Sequence, residues 1–418
     1  MNLEQKIADL CGKAKAASYS LAQSPLSKRN NALGFLAEKL VSGDVMRRII
    51  EANEIDLEAA RGSISDVMLD RLRLDETRIK NIAAALVKII SLADPLGSGD
   101  VWTRPNGMVI RRVRVPLGVV GMIYESRPNV TVDSAALCIK SGNAVVLRGG
   151  KEALNSNAVL ADLTKLALSE AGLDADCVQF IGDTSRESAN ILMRRRGKID
   201  VLIPRGGASL IRSVAENASV PVIETGVGNC HIFADESADF EAAANVILKS
   251  KTRASVCNSV ETILIAEKIH GDFLPVMKRR LDELNVEIRG CAKTCAVLGP
   301  AAAKMATEED YCTEYNDYIL SVKVVAGLDE AVAHINKYGT RHSEAILTRD
   351  IKNAREFQGR VDAAAVYANV STRFTDGEEF GFGAEIGIST SMLHARGPVG
   401  LPELTTVKYL IDGDNLVR

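Results

Sequence analysis

Between residues 119 and 227 short apolar runs alternate with segments of helical period, and this alternation narrows the possible folds more than any other feature. The runs "GVVGMIYE", "NAVVLRG", "CVQFIGD", "KIDVLIPRG" and "VPVIETG" each read as a short buried strand, ending in a turn that carries Gly, Arg or Asp. Strands apolar on both faces need cover on both sides, which is the environment of a parallel sheet wrapped by helices. A second series follows from 228 to about 365: "CHIFAD", "SVETILIA", "EIRGC", "YILSVKVV" and "SEAILT". The expected fold is therefore α/β with two doubly wound parallel-sheet units. A chain of 418 residues also exceeds what one hydrophobic core sustains.

Different periods flank this region. The first hundred residues carry apolar positions at three- and four-residue intervals and predict helices, with the glycine of "EAARG" as a C-cap. "VWTRPNGMVIRRVRVP" alternates apolar and basic residues around the turn "PNG", which predicts a hairpin. "PELTTVKYLIDG" predicts one more strand near the carboxyl end. An arginine-rich ribbon of this length is an odd free arm, and covering by another subunit would resolve that.

Composition excludes several classes of function. Net charge is −3 with the basic residues scattered, so no nucleic-acid partner is expected. Aromatics make up only 4%, which argues against a stacking groove for carbohydrate or single strands. No run of 18 apolar residues predicts a membrane span, and the opening residues lack a signal-peptide core, so a cytoplasmic protein is expected. The eight cysteines have no repeated spacing and read as reduced thiols. Cys291 and Cys295 have no second pair or histidine cluster nearby, so no metal site is expected.

Two strand–Gly-Gly–helix junctions stand out, Arg148-Gly149-Gly150-Lys151 and Arg205-Gly206-Gly207. Glycine there lets backbone N–H groups approach an anion at a helix amino terminus, and a basic residue beside each suits a phosphate-rich cofactor. The plain alternative is a pair of helix starts that need glycine for packing. A Walker A loop is absent, since Val145 stands where its first glycine belongs, and no G-x-G-x-x-G is present.

In "ASVCNSVETILI", Cys257 precedes the apolar run instead of lying within it. A thiolate among small residues can attack an activated acyl group and hold it as a thioester. Asn258 beside it can orient a carbonyl or bond the backbone.

"PLGVVGMIYESRPNVTVDSAALCIKSGNAVVLRGGKEA", "SVCNSVET", "YGTRHSEAI", "NVSTRFTDGEEFGFGAEIGIST" and "LHARGPVGL" resemble the aldehyde dehydrogenase superfamily nearly end to end. Within it they resemble the branch that reduces gamma-glutamyl phosphate with NADPH in the second step of proline biosynthesis. The resemblance makes Cys257 the nucleophile, attacking the acyl phosphate to form a thioester. It places Arg148 and Lys151 where generic members hold the adenosine ribose; a base there suits the 2′-phosphate of NADP. Glu314 falls where the superfamily holds the nicotinamide ribose. Glu224 falls where dehydrogenases keep a water-activating base, which a reductase does not need, and it is grouped with the cofactor contacts. Arg127 replaces the superfamily's oxyanion asparagine, for the oxyanion or the leaving phosphate. His342 and Ser343 would bind the amino-acid end of the substrate, or cap a turn before a strand. Asn369 and Arg373 are the polar contacts expected from a glycine-rich loop crossing the active site.

The resemblance also implies an organisation. Residues 1–101, 119–227 and 365–395 would bind NADPH, residues 228–364 would carry the nucleophile, and residues 102–118 with 396–418 would form an oligomerisation element. Implied partners are a second copy of the chain, in a dimer or tetramer, and glutamate 5-kinase in transient contact. The rivals are another acyl substrate of the same superfamily and a scaffold that lost activity; intact "VCNSVET" and both Gly-Gly turns oppose the latter.

Overall fold

The computed structural model describes residues 2–417. The chain packs as two compact units. One holds the chain through Thr225, Gly381–Gly387 and the chain from Val399; the other holds Gly226–Phe380 and Ile388–Pro398.

The first unit opens with helices α1 (Leu3–Ala22), α2 (Leu26–Val41), α3 (Gly43–Ala60), α4 (Asp66–Leu72) and α5 (Glu76–Ser91). Asn2 caps α1 by accepting from Gln5 N–H at 2.8 Å, and Asp75 caps α5 by accepting from Arg78 N–H at 2.8 Å. The periodic stretch before "EAARG" is two helices rather than one, because Ser42 is extended (ψ 136°) and ends α2.

Strands β1 (Gly99–Thr103) and β2 (Val109–Pro116) form the expected hairpin, and the carboxy-terminal strand Thr405–Asp412 pairs with β2. This three-stranded antiparallel sheet is separate from the parallel one. The parallel sheet consists of β3 (Val119–Tyr124), β4 (Ala144–Arg148), β5 (Val178–Phe180) and β6 (Val201–Arg205), in the order β5-β4-β3-β6. Every residue of β3 and β4 is buried, as a sheet covered on both faces requires. The chain runs outward from β3 through β4 to β5, then returns to β6 on the other side of β3. The topological switch lies between β3 and β6. Helices α6 (Asn129–Lys140), α7 (Leu154–Glu170), α8 (Arg186–Met193) and α9 (Ala208–Asn217) follow the four strands in turn.

The strand expected at "VPVIETG" does not form. Leu202 N–H donates to Pro221 O at 2.8 Å and Ile223 N–H donates to Leu202 O at 2.9 Å. The next ladder donor would be the N–H of residue 204, which is proline, so the pairing stops at a single Leu202–Val222 bridge.

The second unit carries β7 (Cys230–Ala234), β8 (Val260–Ala266), β9 (Glu287–Gly290), β10 (Lys304–Met305), β11 (Ile319–Val325), β12 (Ser343–Leu347) and β13 (Ala365–Ala368). These seven strands pair only in parallel, in the order β10-β9-β11-β8-β7-β12-β13 among the described residues. Helices α10 (Phe240–Lys251), α11 (His270–Leu281), α12 (Ala292–Leu298), α13 (Leu328–Tyr338) and α14 (Ile351–Arg360) wrap it. Its core includes Phe233 stacked on Phe357 and the fully buried Ile232, Ile263, Leu264 and Ile346. The boundary expected at 365 is corrected by β13, which pairs with β12 and takes residues up to 380 into the second unit; only 381–387 return to the first.

Candidate active site

In the first unit the conspicuous residues gather at the carboxyl ends of the parallel strands. β4 ends in Arg148 and turns through Gly149 and Gly150. A Cβ on Gly149 would lie 2.2 Å from Asn157 Nδ2, so only glycine lets the backbone pass this close. The Asn157 carboxamide oxygen accepts from Thr131 Oγ1 at 2.8 Å, while its buried Nδ2 has no hydrogen-bond partner. Arg205, the last residue of β6, likewise keeps a buried Nε without a partner. Two unpaired buried donors beside the buried Gly149–Gly150 turn and the exposed Gly206–Gly207 turn suit a polar, anionic ligand. These residues therefore fit a phosphate-bearing cofactor.

Arg148 departs from expectation. Its guanidinium donates to Thr184 O at 2.7 Å, to Ser185 O at 2.8 Å and to Ser188 Oγ at 3.3 Å. It ties β4 to the loop before α8, which leaves exposed Lys151 as the cation of this junction. At the second junction Gly206 and Gly207 are exposed, and Gly207 N–H donates to Glu125 Oε2 at 2.9 Å. The chain's own carboxylate thus sits at the amino terminus of α9, a contact between residues 82 apart that no local pattern signals. Arg127 is half-buried just before α6, and Glu224 is exposed.

In the second unit the chemistry gathers at the amino ends of the strands. Cys257 is half-buried on the turn between α10 and β8. Gly228 packs so tightly under it that a Cβ there would lie 1.5 Å from the Cys257 carbonyl oxygen. Gly228 N–H in turn donates to Glu314 Oε1 at 2.8 Å. Glu314 thus holds the backbone that supports the cysteine.

Asn258 bonds backbone, the second of the two options open in the sequence. Its Nδ2 donates to Thr375 O at 3.0 Å and Arg373 O at 3.2 Å, and its Oδ1 accepts from the Arg373 guanidinium. Burial depresses the Arg373 pKa below its ordinary value, with help from the charge of Arg253, while Cys257 pulls it the other way. His342 and Ser343 are fully buried. His342 Nδ1 lies 2.8 Å from Ser343 Oγ, and Ser343 Oγ lies 2.6 Å from Thr375 Oγ1. Their expected contact with substrate is corrected to internal support of the loop. Asn369 is exposed, takes a left-handed backbone (φ 58°) and pairs with Thr348, accepting from its N–H at 2.9 Å and donating to its O at 2.8 Å.

Beneath the turn lies an ion pair that sequence reasoning missed. Lys251 Nζ and Glu261 Oε2 are 2.6 Å apart, both fully buried, and Lys251 also donates to Val260 O at 3.0 Å. Burial pushes the Glu261 carboxyl upward, and burial pushes the Lys251 amine downward. The signal was available: Lys251 continues the buried stripe Ala244, Ile247, Leu248 of α10, where a lysine demands a partner. Among the described residues no cluster of His, Cys, Asp or Glu could hold a metal ion, and no helix is long and apolar enough to cross a membrane.

The profile of the aldehyde dehydrogenase family matches residues 4–316. The gamma-glutamyl phosphate reductase of Clostridium perfringens is 56% identical over 409 residues, covering 97% of this chain and 98% of that protein. The crystal structure of gamma-glutamyl phosphate reductase from Thermotoga maritima superposes with a TM-score of 0.95 at 48% identity, covering 99% of both chains. An engineered glycolyl-CoA reductase solved with bound NADP+ has a TM-score of 0.70 at 16% identity, covering 97% of this chain and 96% of that one, a likeness of fold alone.

Proposed function

Because this chain belongs to the aldehyde dehydrogenase family, and within it to the gamma-glutamyl phosphate reductases, we propose that it reduces gamma-glutamyl 5-phosphate to glutamate 5-semialdehyde and phosphate through a thioester on Cys257. The observation that carries this reading is Cys257 itself, held half-exposed on a braced turn outside the apolar strand that follows.

In the first step the Cys257 sulfur bonds to the γ-acyl carbon and the carbon–oxygen bond to phosphate breaks. The backbone N–H of Cys257 is the proposed donor to the oxygen that becomes negative, and Arg127 is the proposed charge partner of that oxyanion or of the departing phosphate. NADPH, when bound, supplies the hydride that takes the acyl carbon to the aldehyde level. The carbon–sulfur bond then breaks and Cys257 leaves as thiolate. Asn258 and Arg373 keep the turn in place throughout. Gly149, Gly150, Lys151, Arg205, Gly206 and Gly207 would hold the phosphate-bearing cofactor, with Glu224 and Glu314 the carboxylates of the same assignment.

The exposed sheet of β1, β2 and the last strand carries Val101, Val407, Tyr409 and Ile411 on its surface, which supports an oligomer contact. A transient contact with glutamate 5-kinase belongs to the same reading, since the acyl phosphate is unstable.

The test runs the reaction backwards: NADP+ reduction is followed with pyrroline-5-carboxylate plus phosphate, for the native protein and Cys257→Ala, and repeated with NAD+. Phosphate-dependent NADPH formation that disappears in the variant is expected. Activity without phosphate would sink the acyl-phosphate step, and equal rates with NAD+ would sink the NADP preference.

A further inference from the structure

The turn that carries Cys257 is enclosed by a ring of hydrogen bonds. Cys230 Sγ–H reaches the Cys257 carbonyl oxygen at 3.2 Å and lies 3.8 Å from His342 Nδ1. His342 meets Ser343, Ser343 meets Thr375, and the Thr375 carbonyl returns to Asn258, the residue after the nucleophile. Thr372 Oγ1 adds a bond to Asn258 O at 2.8 Å, and Ser371 Oγ meets Ser250 Oγ at 2.7 Å at the end of α10. Segment 371–376 therefore grips the turn from one side, and β7 and β12 support it from the other.

Thr375 is where the two supports join. The residue is 1% exposed, and its hydroxyl lies 2.6 Å from Ser343 Oγ and 2.8 Å from Tyr367 OH, so it has both strands β12 and β13 as partners. One hydroxyl offers one donor and two acceptor positions, and two buried partners leave it little freedom to turn. Burial pushes the Tyr367 phenol up to about 12, so this chain of hydroxyls stays neutral and intact across the working pH range. With its hydroxyl fixed by two partners, Thr375 is anchored at the point where its carbonyl accepts from Asn258 Nδ2.

We infer that Thr375 is a positioning residue for the nucleophile: its hydroxyl locks segment 371–376 to β12 and β13, and that segment sets where the Cys257 sulfur points. The inference rests on Cys257 being the reactive thiol proposed above. It implies that loss of the hydroxyl misplaces the sulfur without touching the cofactor's binding residues, and a displacement of about 1 Å at a reacting atom costs on the order of 100-fold in rate.

The experiment compares the native protein with Thr375→Val, which keeps the shape and removes the hydroxyl, and Thr375→Ser, which keeps the hydroxyl. Two quantities are measured for each: kcat and KM for NADP+ in the reverse reaction, and the rate at which iodoacetamide alkylates Cys257, read on its own peptide by mass spectrometry. The expected result is a fall in kcat of about 10- to 100-fold for valine with KM for NADP+ within about twofold, a changed alkylation rate at Cys257 only, and recovery to within about threefold for serine. Valine with native kcat and native alkylation would overturn the inference. So would serine as defective as valine, since the methyl packing and not the hydroxyl would then matter. An inactive native protein whose Cys257 alkylation still responds to valine and recovers with serine would sink the reaction proposed above and leave the positioning role standing.

Discussion

The two units place their chemistry at opposite ends of their parallel sheets. In the first, the candidate residues follow the carboxyl ends of β3, β4 and β6, where helix amino termini point their N–H groups outward. In the second, Cys257, Cys230, His342 and Ser343 precede or begin strands, beside the carboxyl terminus of α10. A helix carboxyl terminus carries partial negative charge and opposes a thiolate, and here cationic Lys249 and Lys251 occupy its last turn. The first unit can thus work largely through glycine turns and backbone N–H groups, with Lys151 and Arg205 beside them. The second holds the proposed nucleophile with buried side chains, and it should tolerate change far less.

The sharpest test of that difference is one added methyl group. Gly228→Ala would drive a Cβ to 1.5 Å from the Cys257 carbonyl oxygen, a backbone atom that cannot swing aside. We expect at least about a 100-fold loss of kcat, with the thermal midpoint measured alongside. Gly206→Ala in the first unit meets the tip of Glu125 at 2.5 Å, a flexible side chain that can move, so its midpoint should change little. Equal damage from both would remove the distinction.

Next in size is the buried ion pair. Lys251→Met leaves the Glu261 carboxylate without its partner in a fully buried site, and a denaturation series should show a loss of about 3–5 kcal/mol. The double variant Lys251→Met with Glu261→Leu should recover most of it. If the single variant is as stable as the native protein, the turn is not braced from below.

Acid should act through the same unit. Asp310 is buried, which opposes its charge, but bonds from Arg289 at 2.7 Å and from Thr307 and Tyr315 outweigh this and hold its carboxyl down at about 2. A carboxyl with a depressed folded pKa contributes stability above its unfolded value, near 4, that is lost as pH falls toward 2. Asp310→Asn should flatten the acid limb of a stability–pH curve over that window. An unchanged limb would show that other groups set it.

Much of this was readable in the sequence because apolar runs and turn residues carry their meaning locally. The hairpin around "PNG" and the strand "NAVVLRG" needed only neighbours a few residues away, and so did the exposure of Cys257. Features that depend on distant partners were not readable. "VPVIETG" has a strand's composition, yet Pro204 in the adjoining strand withholds the N–H it would pair with. Asn369 and His342 look like ligand contacts because they are polar residues in glycine-rich or turn segments, and only the folded chain shows Thr348 and Ser343 meeting them. Arg148 stands at the right junction, but its guanidinium turns back to carbonyls 36 and 37 residues onward.

The smallest expected effect is at Glu125. Its carboxylate accepts from Gly207 N–H at the amino terminus of α9, the position a cofactor phosphate would favour for the same electrostatic reason. Glu125→Gln keeps an oxygen to accept that bond and removes the charge. Stability should then fall by about 0.3–1 kcal/mol, the usual worth of an anion at a helix amino terminus. The same charge repels an incoming phosphate, so its removal should lower KM for NADP+ by about two- to fivefold, which is that energy expressed as a binding ratio. Sodium chloride should shrink the difference between the two proteins, because the repulsion is screened. A KM that rises instead would mean that Glu125 shapes the Gly206–Gly207 turn for the cofactor. In that case the first unit, like the second, would depend on a side chain to hold its backbone in place.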